Sequence, residues 1–182
     1  IIGNKKAITY TEASPLIKDN KWRLGVTPMS TDLLFEVPSQ RVEDVLQNGK
    51  RGSTYRIVDG RILGRSPSIW FTNLDHNKRH ELLDLVCRYS PEEYLRYDNY
   101  DAINVDKTSD IPCNYPGAMG VPITFLDKYN PEQFEILNAN DFRKNNSVPC
   151  KQHGLIKDKD GAINGKPTYA RILIRNKYPQ QL

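Results

Sequence analysis

Apolar and polar positions alternate along this chain in short bursts, and few stretches hold one period for long. In KWRLGV (21–26) every second residue is apolar, at Trp22, Leu24 and Val26, which is the period of a half-buried strand; DLLFEV (32–37) reads as a second strand, and Pro28 and Pro38 punctuate the pair. Upstream, Thr9-Tyr10-Thr11-Glu12 has the spacing of a capping box and Ser14-Pro15 offers proline at a first helical position, so a short helix is expected near residues 10–19. STYRIV and RILGR flank Asp59-Gly60, a dipeptide suited to two positive φ angles, which predicts a hairpin over 53–65. Ser68 to Phe71, with Trp70, reads as a buried strand, and so does the opening Ile1-Ile2-Gly3-Asn4. Another capping box at Thr72 to Asp75, followed by Leu82, Leu83, Leu85 and Val86, predicts a helix over about 74–88. Ser90-Pro91-Glu92-Glu93 predicts a further short helix, and Asn130-Pro131-Glu132-Gln133 a helical turn after a short element at Phe125-Leu126. Residues 138–152 are polar and loop-like. The chain closes on a hairpin, with Leu155-Ile156, turns at Asp160-Gly161 and Asn164-Gly165, and then YARILIR, where Ala170, Ile172 and Ile174 face one way.

Residues 97–137 resist this treatment. They mix Tyr97, Tyr100, Tyr115, Tyr129 and Phe125 with aspartates, asparagines, lysines and prolines, so the segment is expected to lie in turns that present side chains for recognition rather than bury them.

A chain of 182 residues is about one domain and is long enough to bury a core without disulfides or metal. With 38% hydrophobic and 26% charged residues it has the composition of a fairly polar globular protein. A net charge of +4 is compatible with nucleic acid without demonstrating it. Cys87, Cys113 and Cys150 are odd in number and widely spaced, which argues against a disulfide framework or a paired metal site and for a reducing cytoplasm. No apolar run approaches the roughly 20 residues of a membrane span, so a membrane is not expected among the partners.

Candidate chemistry is sparse. On the predicted helix His76, His80 and Asp84 share a face at metal-binding spacing, but a solvated charged face (HNKRHE) explains them without a ligand, and no metal is expected. His153 stands alone in a polar loop. Asp98, Asp101, Asp106, Asp110 and Asp127 could pair for metal-assisted phosphodiester cleavage, yet Asp19-Asn20-Lys21 is the one acid-x-Lys triplet, and it lacks a well-placed preceding acid. Hydrolysis is the weaker alternative. No GxGxxG, GxxxxGKS or GxSxG occurs, and Gly117-Ala118-Met119-Gly120 has the wrong spacing for a phosphate loop.

Long words of the sequence carry a resemblance. IIGNKKAIT, ASPLIKDNKW, WFTNLDHNKRHE, YDNYDAIN, IPCNYPGAMGVPITFLDKYNPEQFEIL and INGKPTYARILIR are together similar to the C-terminal half of the EcoRI-type adenine-specific DNA methyltransferases. The resemblance implies transfer of a methyl group from S-adenosylmethionine to N6 of an adenine flipped out of double-stranded DNA. Members hold the amine with an Asn/Asp-Pro-Pro-aromatic tetrapeptide, which Asn130-Pro131-Glu132-Gln133 is not, and the glycine-containing cofactor loop is also missing. Both motifs are therefore expected upstream of Ile1, in an N-terminal catalytic half that would be this segment's partner; the segment alone is expected to be inactive.

The implied fold is mixed α/β: a sheet with antiparallel hairpins and short flanking helices, the last part of a Rossmann-like methyltransferase plus a target-recognition region. Residues 1–90 would supply the strands and helices that complete the sheet and residues 91–182 the DNA-contact region, packed as one unit. On that reading Lys107, Lys128, Arg143 and Lys144 neutralise phosphates, and Tyr97, Tyr100 and Tyr129 stack on or wedge beside bases. Asn99, Asn104 and Asn114 have the amide that reads adenine, although each serves equally well as a turn former. The alternative is a stand-alone, non-catalytic DNA-binding or specificity module.

Overall fold

A computed structural model describes residues 1–144 and 155–181; Cys150 and His153 lie outside the described residues. Strand β1 (Ile2–Asn4) ends in a 3-10 turn that Asn4 caps by accepting the Lys6 N–H, and α1 (Ala13–Lys18) sits within the expected helix. Strands β2 (Arg23–Leu24) and β3 (Leu33–Glu36) fall inside the two stretches expected as strands. Helix α2 (Val42–Asn48), absent from the sequence reading, carries Glu43 and Asp44 in its first turn, where they complement the helix dipole. The hairpin β4 (Tyr55–Val58) and β5 (Arg61–Ser66) turns through Asp59 and Gly60, at φ 49° and 75°, the positive pair that a two-residue type I′ turn requires. Then come β6 (Ser68–Thr72), β7 (Ile103–Asn104), β8 (Met119–Pro122) and β9 (Phe134–Ile136). Last are β10 (Leu155–Ile156), β11 (Ala162–Ile163), β12 (Lys166–Pro167) and β13 (Arg171–Asn176).

The fold is mixed α/β, with several small, mainly antiparallel sheets and few helices. The strand orders are β1-β6-β2, β3-β5-β4, β11-β12, and a five-stranded sheet β10-β13-β8-β7 in which β9 also pairs with β13 and β7 runs parallel to β8. No helix among the described residues is long and apolar enough to cross a membrane.

Strand β13 is the spine of the core. Ile172 and Ile174 point into a large cluster with Met119, Val121, Phe125 and Phe134, whereas Leu173 points to the opposite side, into a smaller cluster with Tyr97, Tyr100 and Ile156. The one-sided strand expected from Ala170, Ile172 and Ile174 is thus covered on both faces, because Ile163 of β11, Phe142 and the 97–104 loop close over its second side.

Other expectations are corrected. No helix spans 74–88: a 3-10 turn at Asn77–Arg79 is followed by an extended strap in which Leu82 and Val86 are 72% and 81% exposed while Leu83, Leu85 and Tyr89 pack on the core. The extended form prevails because neighbours satisfy its backbone. Gln133 accepts the Leu83 N–H at 2.8 Å and donates to Leu83 O at 2.7 Å, Asn114 accepts the Tyr89 N–H at 2.8 Å, and Cys113 N–H donates to Cys87 O at 2.8 Å. Ser90 begins a single turn, closed by Tyr94 N–H to Ser90 O at 3.1 Å, and not a helix. Strands β1 and β6 form as expected but are buried on one face only: Ile69 and Phe71 face inward, whereas Ile2 and Trp70 pair on the outer face and are exposed. The largest correction concerns 97–137, which builds core rather than presenting side chains. Tyr97 and Tyr100 are 1% and 0% exposed, and Tyr115 and Phe125 are also buried.

Candidate nucleic-acid interface

Four of the residues predicted to touch nucleic acid meet at one corner. Tyr97 and Tyr100 pack edge to face with centroids 6.2 Å apart, and the Arg143 guanidinium lies 5.3 Å from the Tyr100 ring centre. The Tyr100 hydroxyl donates to Asp160 Oδ2 at 2.5 Å and accepts from Arg143 Nη2 at 3.0 Å, while Arg143 also pairs with Asp160 Oδ1. Lys144 Nζ donates to Tyr97 O at 2.8 Å. Asn99 completes the knot by donating to Asp160 O at 2.6 Å and accepting the Ala162 N–H at 3.1 Å. Burial pushes both tyrosine hydroxyls up, so they stay protonated, and the bond to Tyr100 holds Arg143 firmly charged. The arrangement fastens the 97–104 loop and residues 143–144 to the turn before β11. It takes the Tyr97 and Tyr100 rings off the surface.

Lys107 and Lys128 are exposed and make no ion pair among the described residues. Tyr129 is half-buried against Phe125, with centroids 5.9 Å apart. Asn104 accepts from the Tyr97 hydroxyl and donates to Asp106, both at 2.8 Å, so its amide is committed within the protein.

Two of the candidate carboxylates are spent on backbone N–H groups. Asp127 accepts the Met29 N–H at 3.0 and 2.9 Å, and burial raises its pKa; Asp98 accepts the N–H groups of Asn164 and Gly165 at 3.2 and 2.8 Å. His76 Nε2 bonds Leu24 O at 3.0 Å and His80 Nε2 bonds Asp75 at 2.8 Å, and no group of three potential metal ligands gathers among the described residues. The glycines of 117–120 do not form a cofactor cradle. A Cβ on Gly117 would meet the Tyr115 ring at 2.7 Å and one on Gly120 would meet the Tyr97 hydroxyl at 2.5 Å, so tyrosines already fill that space. The 117–120 stretch therefore offers no room for a cofactor.

Sequence reasoning recognised the β4–β5 hairpin but attached no chemistry to it. Residues 50–66 contain Lys50, Arg51, Arg56, Arg61 and Arg65 against the single acid Asp59, and that local charge run was the available signal. At the base of the hairpin Asp32 accepts from Arg65 Nε at 2.5 Å and Lys5 at 3.2 Å and lies 3.6 Å from Arg56; the Arg65 bond holds its carboxyl below the usual range.

The profile of the family described as "Adenine-specific methyltransferase EcoRI" matches residues 1–177. Type II methyltransferase M.EcoRI of Escherichia coli is 45% identical over 185 residues, covering 100% of this chain and 51% of the relative. Type II methyltransferases M.MpnI of Mycoplasma pneumoniae and M.MgeORF184P of Mycoplasma genitalium are 32% and 33% identical, covering 97% and 96% of this chain and 56% of each relative. The chain thus spans about half the length of the curated relatives it matches. No solved structure matches it.

Proposed function

The chain belongs to the EcoRI-type adenine-specific methyltransferase family, and from that premise we propose that it is the DNA-contacting portion of a type II modification enzyme. The enzyme's reaction is methyl transfer from S-adenosylmethionine to N6 of adenine in a specific duplex site. The family match over residues 1–177 carries this reading. The partners are duplex DNA and a catalytic half bearing the cofactor loop and the Asn/Asp-Pro-Pro-aromatic tetrapeptide. Residues 1–90 complete the catalytic sheet and residues 91–182 form the target-recognition region; both contribute to the larger core cluster. Such an enzyme works beside DNA in the cytoplasm, where Cys87 and Cys113 stay free.

Lys107 and Lys128 neutralise phosphates from their exposed positions, with Tyr129 next to Lys128 at the end of its turn. Tyr97, Tyr100, Arg143 and Lys144 shape the surface from beneath through their mutual bonds.

Fluorescence anisotropy with a labelled duplex at about 50 and about 200 mM salt tests the DNA reading, with affinity expected to fall steeply between the two. Undetectable binding at low salt would overturn it. In parallel, the 182-residue chain alone is expected to transfer no labelled methyl group to DNA. Turnover there would refute the assignment of catalysis to another half.

A further inference from the structure

The sheet β3-β5-β4 stands outside the core: among the described residues, neither hydrophobic cluster takes a residue between Met29 and Ile69. Strand β3 ends at the Glu36–Leu63 pair, and β4 and β5 continue past it as a two-stranded ribbon through Ile57–Ile62 and Val58–Arg61 to the Asp59-Gly60 turn. The register places Arg56, Arg61 and Arg65 on one face with Val58, and Tyr55, Ile57 and Ile62 on the other. Ile57 and Val58 remain 44% and 40% exposed. Arg65 and Asp32 fix the root of the ribbon, whereas Arg51 and Arg61 are exposed and make no ion pair among the described residues.

We propose that the β4–β5 ribbon is a DNA-reading arm that lies in the major groove of the duplex, with Arg61 at its tip, Arg56 on its face and Lys50 and Arg51 against phosphates at its root. The proposal rests on the reading of the chain as DNA-contacting. Two paired strands about 4.8 Å apart, with their side chains, match a groove about 12 Å wide, and arginine is the side chain best suited to bind phosphate or a guanine edge. A positive ribbon also suits an acidic polypeptide. Its protrusion beyond the end of β3, with Arg61 exposed at the tip, favours insertion into a groove over lateral strand pairing.

The test compares the 182-residue chain, its Arg51→Gln/Arg61→Gln double variant and a control, Lys21→Gln, at an exposed position outside residues 91–182, on one duplex across a salt series, with thermal melting as a check on folding. Expected are an unchanged melting temperature, about tenfold weaker binding by the double variant at low salt, and a slope of log affinity against log salt shallower by about two, the control being unaltered. An unchanged slope and affinity in the double variant would overturn the arm while leaving the DNA reading intact. Failure of the unmodified chain to bind would instead overturn the reading beneath it. A photoreactive benzoylphenylalanine at Val58 does not depend on the stability of the arginine variants: it should crosslink to labelled duplex, and absence of a crosslink counts against the arm. Arm-dependent binding to polyglutamate with none to duplex would replace DNA with an acidic partner.

Discussion

Tyr100 carries two functions in one side chain, a ring in the smaller core cluster and a hydroxyl between Arg143 and Asp160. Tyr100→Phe keeps the ring and removes the hydroxyl, leaving a partly buried ion pair with one fewer partner on each side. The expected loss is about 1–2 kcal/mol in urea denaturation, since a partly buried charged group stripped of a hydrogen bond costs more than the bond itself contributes. Stability equal to that of the unmodified chain would show that the knot is merely coincident with the core. At this scale the sequence was half legible. Tyr97, Tyr100, Arg143 and Lys144 were singled out and do meet in space, but their mixture with Asp and Asn looked like a surface. It is an interior because Asn104 accepts from the Tyr97 hydroxyl and Asp160, far along the chain, accepts from that of Tyr100.

Among the elements, the 82–89 strap shows what decides between two periods. Its leucines suit an amphipathic helix, and Leu83, Leu85, Cys87 and Tyr89 equally suit a strand; Gln133 resolves the ambiguity by mimicking a neighbouring strand with its amide. Gln133→Ala should cost about 1–2 kcal/mol and speed hydrogen exchange at the Leu83 amide well beyond that of β13. Unaltered protection at Leu83 would mean that the core contacts alone hold the strap extended. Elements with a local cause were legible. The Asp59-Gly60 and Asn164-Gly165 turns fall where positive φ is easiest, and α1 forms within the expected stretch, although no side chain caps it and Ser14 lies inside it. Helix α2 went unread although Val42, Val45 and Leu46 have helical spacing and Gly49 follows.

For the molecule as a whole, burial of tyrosine has a consequence in alkali. Burial pushes the Tyr94 and Tyr129 hydroxyls up to about 12 and raises those of Tyr97 and Tyr100 in the same direction. Above the ordinary value near 10 the unfolded chain loses protons that the folded chain keeps. The stabilisation is therefore fully present below about pH 10 and is lost as pH rises through the folded values. Urea midpoints should hold steady up to that point and then fall, with tyrosinate absorbance appearing together with unfolding. Early tyrosinate absorbance from a chain that is still folded would contradict the buried positions. By itself the sequence determined the turns, most short strands, the charge of the β4–β5 hairpin and the family resemblance, because each depends on residue type within a few neighbours or on words read directly. Tertiary structure alone decided that 97–137 is interior, that the 82–89 strap is extended, that β13 is covered on both faces and that β3-β5-β4 stands clear of the core. Those outcomes depend on which distant groups arrive to satisfy a backbone or cover a face, and a partner such as Asp160 lies 60 residues from the tyrosine it serves.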